Sequence, residues 1–191
     1  MARALHLCVA AAAALSPCTA AANPLKSLYT TIELKGCKPI KKGKDGDTSW
    51  RCDGLAGYPV YVAEGDLRQF VSMGARAEHR RAATQTLGAF NSIFERGSGR
   101  GTIEWRIVRR SGKEIPFAAI VHFHTFRDGR RGDVLVVFKI DEGQTCHVAY
   151  IDALANPNAI VLARQVADDK ARAFDCRREP QAEGATGRSP M

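Results

Sequence analysis

Residues 102–151 read TIEWRIVRRSGKEIPFAAIVHFHTFRDGRRGDVLVVFKIDEGQTCHVAYI, and this stretch decides the fold. Alternation in 102–110 sets Ile103, Trp105 and Ile107 on one side, the period of a half-buried strand. Ser111-Gly112-Lys113 is a turn, 115–126 a longer strand, and Asp128-Gly129 a hairpin signal. The run VLVVFKI at 134–140 is apolar on nearly both faces, which suits a central strand. After the turn Asp141-Glu142-Gly143, residues 146–151 form a fourth strand. Four strands with short turns read as an antiparallel meander.

Upstream, LYTTIELKGC at 28–37 is β-branched and alternating, so it reads as a strand. The polar KPIKKGKDGDTS at 38–49 reads as a loop, after which Trp50-Arg51-Cys52 opens a second strand. Residues 58–62 and 67–71 are two further extended candidates around Glu64-Gly65-Asp66. In 78–95, Ala83, Leu87, Phe90 and Phe94 recur near helical spacing, with Ile93 widening the stripe, and predict an amphipathic helix. His79, Arg80 and Arg81 in its first turns oppose the helix dipole. A second helix is predicted after Asn156-Pro157, an N-cap followed by proline at the first helical position. Ile160, Ala163, Ala167, Ala171 and Phe174 would form its apolar stripe. Residues 177–191 lack large apolar groups apart from the terminal Met and read as a disordered tail. The expected fold class is α+β: a mostly antiparallel sheet with two amphipathic helices packed on one face and two disulfides.

The chain has 191 residues, 28 basic against 20 acidic, for a formal charge of +8; 45% are hydrophobic and 25% charged. This is ordinary globular composition and excludes a wholly disordered or collagen-like chain. Residues 1–22 (MARALHLCVAAAAALSPCTAAA) have a basic start, a short apolar run and a small-residue end, the pattern of a secretory signal cleaved between Ala22 and Asn23. A lipid-attached form would use Cys18, but Pro17 fits poorly before it. No other stretch approaches 18 apolar residues, so no integral membrane span is expected. Residues 23–176 would be a single domain, periplasmic or secreted. Four further cysteines, Cys37, Cys52, Cys146 and Cys176, allow three pairings. Joining neighbouring segments favours Cys37–Cys52 with Cys146–Cys176. No Cys-x-x-Cys exists to suggest a redox or zinc site.

His122 and His124 flank Phe123 on a strand, so both rings leave the same face. Together with His147 they are the candidate metal ligands, a set that suits Zn²⁺ or Cu²⁺. No acidic residue stands at a matching spacing to orient them, and a solvated or helix-covered sheet face is the plainer account of His-x-His. Gly97-Ser98-Gly99-Arg100-Gly101 follows a predicted helix and precedes a strand, the reverse of a phosphate cradle. Asp45-Gly46-Asp47 lacks the remaining ligands of a calcium loop. Without a Gly-x-Ser-x-Gly, and with the cysteines oxidised, no catalytic residue is assigned. Glu64, Asp66, Asp133, Asp141 and Asp152 could pair for hydrolysis only if the fold brought two together.

The basic excess gathers at Lys38, Lys41, Lys42 and Lys44; at Arg76, Arg80 and Arg81; at Arg106, Arg109, Arg110 and Lys113; and at Arg127, Arg130 and Arg131. Solubility is the plain reading of such charge. The last two groups are the candidate surface for a polyanion or partner. Aromatic residues are not interleaved with them, so no nucleic acid is expected.

GYPVYVAEGDLRQFVSMG (57–74), RRAATQTLGAFNSIFE (80–95) and CHVAYIDALANPNAIVLARQVADDKARAFDC (146–176) resemble a group of small exported bacterial proteins without an assigned function. That resemblance implies export and a single domain, and it carries no catalytic residues. The expected function is an exported, non-catalytic binding or interaction module of the cell envelope, without a cofactor. Its partner would be an envelope protein or an anionic envelope component. The alternative is a small metal-dependent or hydrolytic periplasmic enzyme using the histidines. The sequence does not define the oligomeric state.

Overall fold

A computed structural model describes residues 25–43, 47–55 and 57–191. The predicted signal with Cys18, together with Lys44, Asp45 and Gly46, lies outside the described residues. Strands make up 49% of the described residues. In order they are β1 (Lys26–Glu33), β2 (Lys38–Lys42), β3 (Thr48–Cys52), β4 (Val60–Gly65), β5 (Arg68–Met73), β6 (Phe90–Ser92), β7 (Arg100–Arg110), β8 (Lys113–Arg127), β9 (Arg130–Ile140), β10 (Thr145–Asp152), the helix α1 (Ala159–Lys170) and β11 (Gln181–Ala182). The larger sheet runs β1-β7-β8-β9-β10-β11, with β6 beside the far end of β8; the smaller runs β2-β3-β4-β5.

The meander β7 to β10 forms as its alternation and turns predict. Both residues of the β7–β8 turn, Ser111 and Gly112, and of the β8–β9 turn, Asp128 and Gly129, have positive φ. Such turns match strand twist, and a residue without Cβ removes the steric cost at their second position. They fix the register outward, so that Arg127 faces Arg130 and His124 faces Asp133.

Alternation also divides the core. One face of the larger sheet presents Ile103, Trp105, Val121, Phe123, Val134, Val136 and Phe138, which pack with Val60, Val62, Val71 and Met73 of the smaller sheet. The other face presents Phe117, Ala118, Ile120 and Val137, which meet Ala159, Ala163, Val166 and Ala167 of α1. Two ion pairs hold α1 there. Arg106 donates from Nε and Nη2 to both oxygens of Asp168 at 2.8 and 2.6 Å, and Arg164 donates to Glu104.

The molecule is thus a two-sheet, mostly β structure with a single α-helix among the described residues, not the expected α+β fold with two helices. Residues 78–95 are where the expectation fails. They form two short 3-10 turns, Ala77–His79 and Arg81–Thr84, and then the extended β6. Beyond the turns, Leu87, Ala89, Asn91 and Ile93 are the buried positions, a period of two that shares only Leu87 and Ile93 with the predicted stripe. Side chains stitch this segment to β5. Gln69 N–H donates to Asn91 Oδ1 at 3.0 Å, and Ile93 N–H donates to Gln69 Oε1 at 2.7 Å. These bonds offer the backbone an alternative to helical pairing.

Part of the expected 38–49 loop is β2, an exposed outer strand whose lysines and proline discourage pairing with another chain. The N-cap of α1 is Asn158 rather than Asn156, and Asn156 instead donates from Nδ2 to Asp152 O and Ala185 O. Residues 177–191, expected to be disordered, return along the sheet: β11 pairs with β10, and Ser189 is buried. The Asp152 carboxylate, already fixed by Leu154 and Ala155, accepts the Arg188 and Ser189 N–H groups at 2.7 and 2.8 Å. An acceptor inside the sheet holds this segment, and the terminal Met191 packs against the core.

Both favoured disulfides are present. Cys37–Cys52 closes the β2–β3 ribbon, and Cys146–Cys176 ties β10 to the chain that follows α1.

Candidate functional site

Where α1 ends its cover, the same face of the larger sheet continues toward the β8–β9 turn. Register arranges its side chains in rows. His122 lies opposite Leu135; Ser92, His124 and Asp133 form the next row; Phe90, Phe126 and Arg131 form the last. His122, His124 and Asp133 are half-buried, whereas Phe90 and Phe126 are exposed.

The two imidazoles converge on one oxygen. His122 Nε2 and His124 Nδ1 lie 3.0 and 2.8 Å from Asp133 Oδ1, with ring centroids 4.4 Å apart. The Asp133 main chain is clamped. Its N–H donates to Ser189 Oγ, and its carbonyl accepts from Ser189 Oγ and Ala153 N–H. Partial burial pushes the His122 pKa down, and His124 adds to this; Asp133 and Glu95 act in the opposite direction. Asp133 is the orienting carboxylate that the sequence reading did not find. Its signal was present: counting outward from the two-residue Asp128-Gly129 turn places it opposite His124.

His147 does not join them. It projects from the opposite face of the sheet, fully buried, with its ring edge-on to Phe138 and Tyr150. Nδ1 and the Tyr150 hydroxyl share a 3.0 Å hydrogen bond, and Nε2 has no partner among the described residues. Burial, with a smaller contribution from the Arg81 charge, lowers its pKa to about 3, and burial raises that of Tyr150 to about 12. Arg81 is itself paired with Glu179.

This arrangement predicts acid sensitivity. The unfolded chain takes up the His147 proton below about pH 6.5 and the folded chain does not until about pH 3. Stability contributed by the neutral ring is therefore complete above pH 6.5 and falls as pH drops. The expected slope is roughly 1 kcal/mol per pH unit. Urea midpoints at pH 7 and pH 5, a window above ordinary carboxylate titration, test this. His147→Leu should flatten the difference; an unchanged difference would assign it elsewhere.

The basic candidates do not form one surface. Arg106 is buried against Asp168 and Ser27 and so is no partner contact. Arg109, Arg110 and Lys113 lie at the β7–β8 end; Arg127, Arg130 and Arg131 lie at the other end of β8, about 45 Å away at strand rise. At the first end, Arg110, Lys139 and Arg172 border an open cleft of about 650 Å³. Its cations are largely committed: Lys139 donates to two backbone carbonyls, and Arg172 stacks 4.8 Å over Phe117. At the second end, Arg130 donates to Gly187 O and Arg188 O. Arg127 and Arg131 enter no ion pair among the described residues.

Beside them the β4–β5 turn carries Leu67, 67% exposed and at φ 58°, a conformation that bulky side chains rarely adopt. Its carbonyl accepts Asn91 N–H, which sets it next to Phe90, and the Arg68 guanidinium lies 5.3 Å over the Phe90 ring. The candidate carboxylates serve local structure. Asp66 binds Arg68, Glu64 accepts from Gln69, Asp141 closes its own turn, and Asp152 holds the C-terminal segment.

No family model matches the chain, and neither a curated protein nor a solved structure matches it. Among the described residues, no helix is long and apolar enough to cross a membrane.

Proposed function

We propose that this is an exported, non-catalytic binding module that docks an acidic protein of the cell envelope. The binding surface is the helix-free end of the larger sheet. One observation carries the reading: Phe90, Phe126 and Leu67 stand exposed together, bordered by Arg68, Arg127 and Arg131. Adjacent exposed aromatic and arginine side chains are the composition of interface centres. Arg127 and Arg131, which enter no ion pair among the described residues, favour an acidic partner through charge complementarity. Two disulfides and the leader-like residues 1–22 support a periplasmic or secreted location.

The test is crosslinking in intact cells from a photoreactive group at position 126, with position 161 on α1 as control. A reproducible acidic protein adduct at 126, absent at 161, is expected. Phe90→Ala, or Arg127→Glu with Arg131→Glu, should weaken binding of that purified partner at least about tenfold. These side chains are exposed, so thermal stability should hold. Equal capture from both positions, capture of lipid alone, or indifference to both variants would overturn the reading.

A further inference from the structure

We infer that His122, His124 and Asp133 form a binding site for one divalent transition-metal ion of the Zn²⁺ class. The inference is independent of the docking surface, although the two share a sheet face. One ligand atom from each residue lies within 4.8 Å of the others. Tetrahedral zinc with bonds of about 2.0–2.2 Å requires ligand-to-ligand edges of about 3.3 Å. The separations of 2.8 and 3.0 Å to Oδ1 are within a few tenths of an ångström of that edge, and the nitrogen-to-nitrogen edge lies within 4.8 Å.

Chemistry selects the ion. Two imidazole nitrogens and one carboxylate suit Zn²⁺, Ni²⁺ or Cu²⁺, whereas Ca²⁺ and Mg²⁺ favour all-oxygen shells. Side-chain exposures of 43% for His122, 31% for His124 and 32% for Asp133 leave an entry path and room for water at a fourth position. Ligation replaces the two bonds to Oδ1. Each neutral ring keeps its single proton and moves it to the far nitrogen, so no proton need be lost. The frame is already fixed, because the β8–β9 register sets His124 against Asp133 and Ser189 and Ala153 hold the Asp133 main chain.

The test is calorimetric titration of Zn²⁺ into the disulfide-intact protein, prepared without a polyhistidine tag. One ion per chain is expected, with a Kd of about 1–10 µM. His124→Ala and Asp133→Asn should each weaken it at least about tenfold, the lower end of what even an indirect partner of a metal site contributes. Cu²⁺ bound at the same site should show coupling to two ring nitrogens by electron paramagnetic resonance. His79→Ala should leave Zn²⁺ affinity unchanged. Circular dichroism of each variant should match the parent. Absence of stoichiometric Zn²⁺ binding, parental affinity in both site variants, or loss in His79→Ala would overturn the inference.

Discussion

Trp105→Ala should lower the free energy of unfolding by about 4 kcal/mol, the largest effect expected of any single substitution here. The indole is fully buried where the two sheets face each other, with Tyr58 at 6.5 Å. Its Nε1–H donates to Thr30 Oγ1 at 2.8 Å, so the same side chain joins β1 to β7. Truncation removes apolar contact, leaves a cavity and strands the threonine hydroxyl. Trp105→Phe keeps most of the volume and loses the hydrogen bond, for an expected cost of about 1–2 kcal/mol. Urea unfolding of the two variants checks the order. A loss below about 1 kcal/mol for Trp105→Ala would mean that the sheets do not enclose this ring.

Replacing Cys146 and Cys176 by Ser together should cost about 4 kcal/mol, against about 3 for the Cys37–Cys52 pair. The two bonds close spans of 30 and 15 residues, and restriction of the unfolded chain grows with loop length. The longer loop contains all of α1. Opening it leaves the helix held by its alanine-rich face and by the Arg106–Asp168 and Arg164–Glu104 pairs. Urea unfolding of both double variants, read by tryptophan fluorescence, checks the order. Equal losses would show that loop length does not govern the difference.

The meander was legible because β7 alternates, the apolar run at 134–140 marks a central strand, and two-residue turns at 111–112 and 128–129 punctuate it. Its central strands, α1 and both disulfides were readable on the same local grounds. Residues 78–95 were not, because Leu87, Phe90 and Phe94 satisfy a helical stripe while the buried set 87, 89, 91 and 93 satisfies a strand. What decided between them was Gln69, some twenty positions away, exchanging hydrogen bonds with Asn91 and Ile93. The C-terminal segment was illegible for a related reason, since its anchor is the Asp152 carboxylate and not its own composition. At the candidate site, His122 and His124 could be picked out by spacing, but Asp133 required the register. His147 shows the limit of residue type: on the strand next to β9, it points to the other side of the sheet.

The pairing of β1 with β7 bears on how the chain is made as well as on how it is held. Glu33 and Arg100, joined across these strands, are 67 positions apart. As the chain emerges N-terminus first, β1 comes out well before β7, its sheet neighbour among the described residues, whereas the segments joined by Cys37–Cys52 follow one another closely. Between those moments β1 is an open template, able to pair with the wrong strand or with another nascent chain. Assembly of the larger sheet from its outer edge is therefore governed by the arrival of β7, a non-local pairing of the kind that slows folding.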